Sequence, residues 1–225
     1  VDALIERDVK KDEAILQVIR KSILESKNIR DEGNGYSKEW QEEAARRGLR
    51  GISKVPEAFK EYMTPESAEL FESAGVLTKA ELAARYEVKN ETFVKKVQIE
   101  SRVLADLAAN HIIPTAIKYQ NVPIENVRGI KEIFGDDYND MAKEEIRTIR
   151  EISEHVKFIR EHSYMMVEAR KKWNNVESIV ERAFGYEDEV RPYRDDIRYH
   201  IDKLELIVDY QLWPVPKYRE LMSIN

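Results

Sequence analysis

Ile149, Ile152, Val156, Ile159, Ser163, Met166, Arg170 and Trp173 follow one another at alternating steps of three and four residues. That spacing places all eight on one face of a helix, as the a/d seam that a helix turns toward partners. The pattern predicts a helix over 140–173, with the later seam positions less apolar. So long a one-sided helix demands neighbours of similar length to cover its stripe. Two other segments supply them. Phe93, Val97, Leu104 and Leu107 mark a buried side within a helical pattern running from about 91 to 134. Tyr193, Ile197, His200, Leu204, Ile207 and Val208 mark another. Short connections make neighbours antiparallel, so the expected fold is all-α: an antiparallel bundle of three long helices preceded by several shorter ones.

The punctuation residues divide the rest. An amphipathic helix is expected over about 2–27, with Leu4, Val9, Leu16, Ile19, Ile23 and Leu24 on its apolar face. The loop Glu32-Gly33-Asn34-Gly35 ends it, its glycines free to take positive φ. Ser37 caps the next helix, with Trp40 and Ala44 inward and Gly48 as its stop. Thr64-Pro65 starts another helix, Gly75 closes it, and Thr78 with Glu81 reads as a capping box. Pro114 and Pro123 each remove a backbone donor and crowd the preceding turn, which predicts a kink or break. Gly135 ends that segment, and Asp136 or Asp137 is placed to cap the next. Gly185 and Pro192 punctuate the chain before the last long helix, and Trp213-Pro214-Val215-Pro216 must leave it. Residues 1–88 form a first helical segment and 89–225 the long-helix bundle.

Composition narrows the function classes. Charged residues make up 36% of the chain with a net charge of −6, and the two signs are interspersed. No basic stripe offers itself to nucleic acid. The absence of cysteine removes disulfides, thiolate catalysis and sulfur-ligated zinc. No apolar run approaches the ~20 residues that span a bilayer, and no signal peptide opens the chain, so a cytoplasmic location is expected. The chain opens at Val1 directly in helical pattern, as a piece of something longer would.

No motif marks an active site. Gly33-Asn34-Gly35 lacks the spacing and lysine of a phosphate loop, and Asp31 and Glu32 put negative charge where an anion would sit. The residues three before His111, His155, His162 and His200 are Ala108, Ile152, Ile159 and Ile197, so the Glu-x-x-His signature of di-metal bundles is missing. His155 and His162 lie about 10 Å apart along a helix and read as a flanking polar face. His111 and His200 read as hydrogen-bonded core residues. Asn110, Pro114, Ile117 and Asn121 form one stripe, whose amides would satisfy carbonyls freed at a proline kink. With His111 and Gln120, the stripe could alternatively bind a small metabolite. No catalytic, cofactor-binding or metal-binding residue is assigned.

Five stretches carry a resemblance: ESKNIRDEGNGYSKEW (25–40), VLTKAELAARYEV (76–88), VQIESRVLADLAANHIIPTAIKYQN (97–121), IENVRGIKEIFG (124–135) and YHIDKLELIVDYQLWPVPKYREL (199–221). Together they resemble the C-terminal region of type III glutamine synthetases, the large bacterial form, over nearly the whole chain and in the family's order. The resemblance implies a parent enzyme that ligates ammonia to glutamate with ATP through γ-glutamyl phosphate, assisted by Mg²⁺ or Mn²⁺. It implies stacked hexameric rings, with the catalytic domain of the same polypeptide as this region's partner. The family's metal-binding glutamates and phosphate-binding arginines lie upstream, ending in an Arg-Phe-Glu-Phe-Arg type segment that this sequence does not contain. A structural, oligomerising region without catalytic residues of its own is therefore expected; the alternatives are a regulatory metabolite-binding module or a free-standing helical scaffold. Asp31 stands where the family has an aromatic, and Pro123 where it has Leu. The first helix and the WPVPKY tail are the surfaces expected to face the remainder of such an enzyme.

Overall fold

A computed structural model describes residues 1–223; Ile224 and Asn225, the last two residues of the expected bundle, lie outside the described residues. The chain divides into two compact units, 1–53 and 54–225. The described residues are all-α.

The first unit holds α1 (Asp2–Ile5), α2 (Lys11–Glu25), a 3₁₀ turn over Lys27–Ile29, and α3 (Lys38–Arg46). Asp8 takes a positive φ of 67° between α1 and α2, so the helix expected over 2–27 is two helices. Ser37 caps α3 by accepting from the Trp40 N–H at 3.1 Å, and Gly48 leaves it at φ 77°. Gly33 and Gly35 are not among the positive-φ residues, contrary to expectation. Asp31 shapes this loop instead: its carboxylate accepts from the Gly33 N–H at 3.1 Å, a side-chain turn that leaves the glycines in ordinary backbone. Arg47 closes the loop by donating to the Arg30 carbonyl at 2.8 Å. It also pairs with Glu43 at 2.6 Å, and these guanidinium contacts hold the Glu43 carboxyl below its usual range.

The second unit opens with α4 (Val55–Lys60), a 3₁₀ turn over Glu61–Met63, and α5 (Pro65–Ser73). Thr64 caps α5 through the Ser67 N–H at 3.2 Å. Next comes α6 (Lys79–Leu107), begun by the expected box: the Thr78 N–H donates to Glu81 at 2.9 Å, and the Glu81 N–H donates back to Thr78. The Thr78 N–H bond keeps the Glu81 carboxyl below its ordinary value. Because this cap starts α6 at Lys79, the boundary expected at 88/89 falls inside a helix.

A π turn over Ala108–Ile112 joins α6 to α7 (Ile113–Phe134) without interruption. A second π turn, Tyr186–Val190, joins α10 (Ile179–Gly185) to α11 (Arg191–Ile207). Each is followed at the second residue of the next helix by a proline, Pro114 and Pro192. The breaks expected there are replaced by one widened turn, which gives the ring room against the preceding carbonyls. Pro123 interrupts nothing; α7 runs through it. Between α7 and α9 (Lys143–Asn174) lie Gly135 at φ 59°, a 3₁₀ turn and the one-turn α8 (Tyr138–Met141). Asp137 stands at the N-cap position of α8 without a side-chain cap hydrogen bond, and α9 follows Ala142, likewise without one.

Three long helical runs thus form the bundle: 79–134, 143–174 and 179–207. Their direction is legible in side-chain pairs. Along the first and second runs, Gln98 meets Asn174, Gln120 meets Ile149 and Ser153, and Asn126 meets Glu145. Along the second and third, His155 meets His200 and Lys172 meets Glu189. Rising number against falling number is antiparallel packing in both cases. The α9 seam does what its spacing predicts: Ile152, Ile159 and Met166 are wholly buried, and they join Val97, Ile112, Ile197 and Leu204 in one core.

After α11 the chain turns back and ends in α12 (Tyr218–Leu221). Trp213 is only 7% exposed and belongs to the core. Lys217 donates to the carbonyls of Glu205 (2.7 Å) and Val208 (3.1 Å), satisfying helix-end acceptors that α11 leaves open. The tail is therefore anchored to its own bundle through Trp213, while Pro214, Pro216 and Tyr218 stay exposed.

Candidate functional site

The polar stripe on the first run does not assemble into a site. Asn110 and His111 are exposed on the π turn, and Asn110 donates to Asp106 Oδ1 at 2.6 Å. Gln120 turns the other way and ties α7 to α9, donating to the Ile149 carbonyl (2.7 Å) and Ser153 Oγ (2.6 Å). Asn110 thus bonds a side chain and not a carbonyl freed by Pro114, and Asn121 is exposed. His111 is a surface residue, not the core histidine expected.

The other three histidines come together instead. His155 and His162 stand two turns apart on α9, and α11 presents His200 to both. His155 Nδ1 and His200 Nδ1 are 2.7 Å apart, so one imidazole donates and the other accepts. Phe158 is stacked between the remaining faces: its centroid lies 3.6 Å from His162 and 3.8 Å from His200. Tyr193 meets His162 edge-on at 5.7 Å, and Tyr199 meets His200 edge-on at 5.3 Å. Two carboxylates flank the group, Glu151 at 3.8 Å from His155 Nε2 and Asp196 at 4.0 Å from His162 Nε2. Burial first, then the neighbouring His155 and His162, push the His200 imidazole below its ordinary pKa, with Asp196 opposing. Sequence reading missed this cluster by treating the histidines one helix at a time. The usable signal was the antiparallel pairing of the last two long helices, which sets 155 opposite 200.

A second polar group lies toward the other end of α9. Asn174 Oδ1 accepts from Gln98 at 3.1 Å and from the Tyr186 hydroxyl at 2.6 Å, joining all three helical runs at one amide. Tyr186 is fully buried, and burial raises its phenol above the ordinary value. Gly185, beside it, is a close-approach residue: a Cβ there would lie 1.9 Å from the Trp173 ring. Its backbone is ordinary helix at φ −62°, so it does not punctuate the chain as the sequence suggested.

Among the described residues, no three His, Asp or Glu side chains are grouped so as to hold a metal ion. No helix among them is long and apolar enough to cross a membrane. The fold and its polar clusters define an all-α bundle module whose chemistry-bearing side chains sit at helix seams. Comparison with known proteins places it further. Residues 14–131 match the family model described as the glutamine synthetase C-terminal domain. The chain is 48% identical over 223 residues to a glutamine synthetase of Bacteroides fragilis (strain YCH46), covering 99% of this chain and 31% of that protein. It is 26% identical over 213 residues to a type-3 glutamine synthetase of Dictyostelium discoideum, covering 94% of this chain and 29% of that one. A glutamine synthetase of Butyrivibrio fibrisolvens is 25% identical over 210 residues, covering 93% and 30%. This chain belongs to the glutamine synthetase C-terminal domain family. It spans about three tenths of the length of these relatives.

Proposed function

We propose that this sequence is the helical C-terminal region of a type III glutamine synthetase, with a structural and oligomerising role and no catalytic residues of its own. The observation that carries the reading is coverage: nearly all of this chain aligns to under a third of an enzyme nearly half identical to it. The reaction of the whole protein would be the ATP-dependent ligation of ammonia to glutamate, in the cytoplasm, by stacked hexameric rings. ATP and Mg²⁺ or Mn²⁺ would be held by the catalytic part of that longer protein.

The first unit supports the reading. On α2 only Ala14 is buried, while Leu16 is 70%, Ile19 52% and Leu24 63% exposed. An amphipathic helix with an uncovered apolar face is built to be covered, and in this reading the catalytic part of the same polypeptide covers it. The triple substitution Leu16→Ser, Ile19→Ser, Ile23→Ser tests this. In the 225-residue chain it should change stability by less than about 0.5 kcal/mol per site. In the full polypeptide each lost contact should weaken docking by about 1.5–3 kcal/mol, read as loss of assembled enzyme on sizing and of glutamine formation. Unchanged assembly and activity in the full polypeptide would contradict the proposal.

A further inference from the structure

The histidine cluster has no part in the role just proposed. Nothing in the helix seam requires imidazoles, yet three converge there from two helices around one phenylalanine. We infer that His155 and His200, backed by His162, form a proton-operated latch between α9 and α11. The contact that carries this is the direct approach of the two Nδ1 atoms, 2.7 Å apart.

An Nδ1-to-Nδ1 contact has room for one proton. With one imidazole donating and the other accepting, the helices are joined; a second proton would set two N–H groups against each other at that distance and add like charge. A second proton at this contact is therefore disfavoured on His200. The surroundings strengthen the resistance on the α11 side. His200 is stacked on Phe158 and edged by Tyr199, so it is poorly solvated, and His155 and His162 disfavour charge on it. Other charged groups at this seam are Glu151 on α9, 3.8 Å from His155 Nε2, and Asp196 on α11, 4.0 Å from His162 Nε2; Asp196 opposes the lowering of His200 without overcoming it. From α6, Glu100 reaches α11 but is taken up by Arg194. From α7, Gln120 and Asn126 reach α9 as uncharged amides.

The sign follows from linkage. Above the ordinary histidine pKa of about 6.5, His200 is neutral in the folded and the unfolded chain and the latch is closed. As pH falls below it, the unfolded chain takes up a proton at His200 that the folded bundle resists, so stability drops with falling pH. The device loosens the α9–α11 seam under mild acid and restores it on return to neutrality.

Thermal unfolding of the 225-residue chain at about pH 7.5 and about pH 5.5 reads the latch. Wild type should lose roughly 2–4 °C in Tm between the two conditions. His155→Gln and His200→Gln should each lose less than half as much, whereas His111→Gln, on the surface, should keep the full drop. Equal drops in all four proteins would overturn the latch. Imidazole nitrogen NMR on the wild type gives an answer that does not depend on a variant folding. One Nδ1 proton shared between the pair at neutral pH, with the second gained only as the α9–α11 seam opens, is the expected result. Two Nδ1 protons at His155 and His200 within an intact bundle would overturn it.

Discussion

Gly185→Ala should destabilise the long-helix bundle by about 3 kcal/mol, at the upper end of what overpacking a close-packed core costs. In a free helix the change would be favourable, because alanine exceeds glycine in helix propensity by about 1 kcal/mol. Here the new methyl would lie 1.9 Å from Trp173 Cδ2 and 2.1 Å from Cε2. The obstacle is the indole ring itself, not the free end of a flexible chain, so ring or backbone must move. Trp173 is the last residue of the α9 seam, and Tyr186 next to Gly185 donates to Asn174. Moving one therefore disturbs the three-run junction at that amide. A Tm lower by roughly 6–12 °C is expected. Adding Trp173→Leu to Gly185→Ala should recover part of that loss, and the double-mutant cycle should show coupling above about 0.5 kcal/mol. A variant with unchanged Tm would show that this close approach is not made.

Ile159→Ala is the second large effect. Ile159 is wholly buried in the middle of the α9 seam, within the core shared by all three long runs. Truncation removes three carbons from a close-packed interior and leaves a cavity, at a cost of about 2–5 kcal/mol. Urea unfolding of the variant should show a lower midpoint at unchanged slope. Leu16→Ala on the exposed face of α2 should stay within about 0.5 kcal/mol of wild type in the same chain. Equal effects at the two positions would contradict the assignment of core and uncovered face.

Much of this architecture is local and so could be read from spacing. The α9 seam from Ile149 to Trp173, the caps at Ser37, Thr64 and Thr78, and the stops at Gly48, Gly75 and Gly135 each depend on residues within a few positions of one another. Where reading failed, the deciding partner was distant or the backbone had a further option. Pro114 and Pro192 suggested interruptions because a proline removes a backbone donor and crowds the preceding turn; a π turn before each provides the space, and Pro123 is carried inside α7. Gly185 suggested punctuation because its role is set by Trp173, across a helix–helix contact. Trp213 suggested an exposed tail because only the return of the chain along α11 buries it. The histidine cluster was invisible for the same reason, since its members come from two helices whose register no single stretch encodes.

The most direct test of the account is an assay for glutamine formation by the purified 225-residue chain, with ATP, Mg²⁺, glutamate and ammonia, beside the same assay on the polypeptide that carries this region after a catalytic part. The account predicts no turnover above background for the chain alone and full activity for the longer protein. Glutamine formation by the chain alone, at a rate near that of the longer protein, would contradict it.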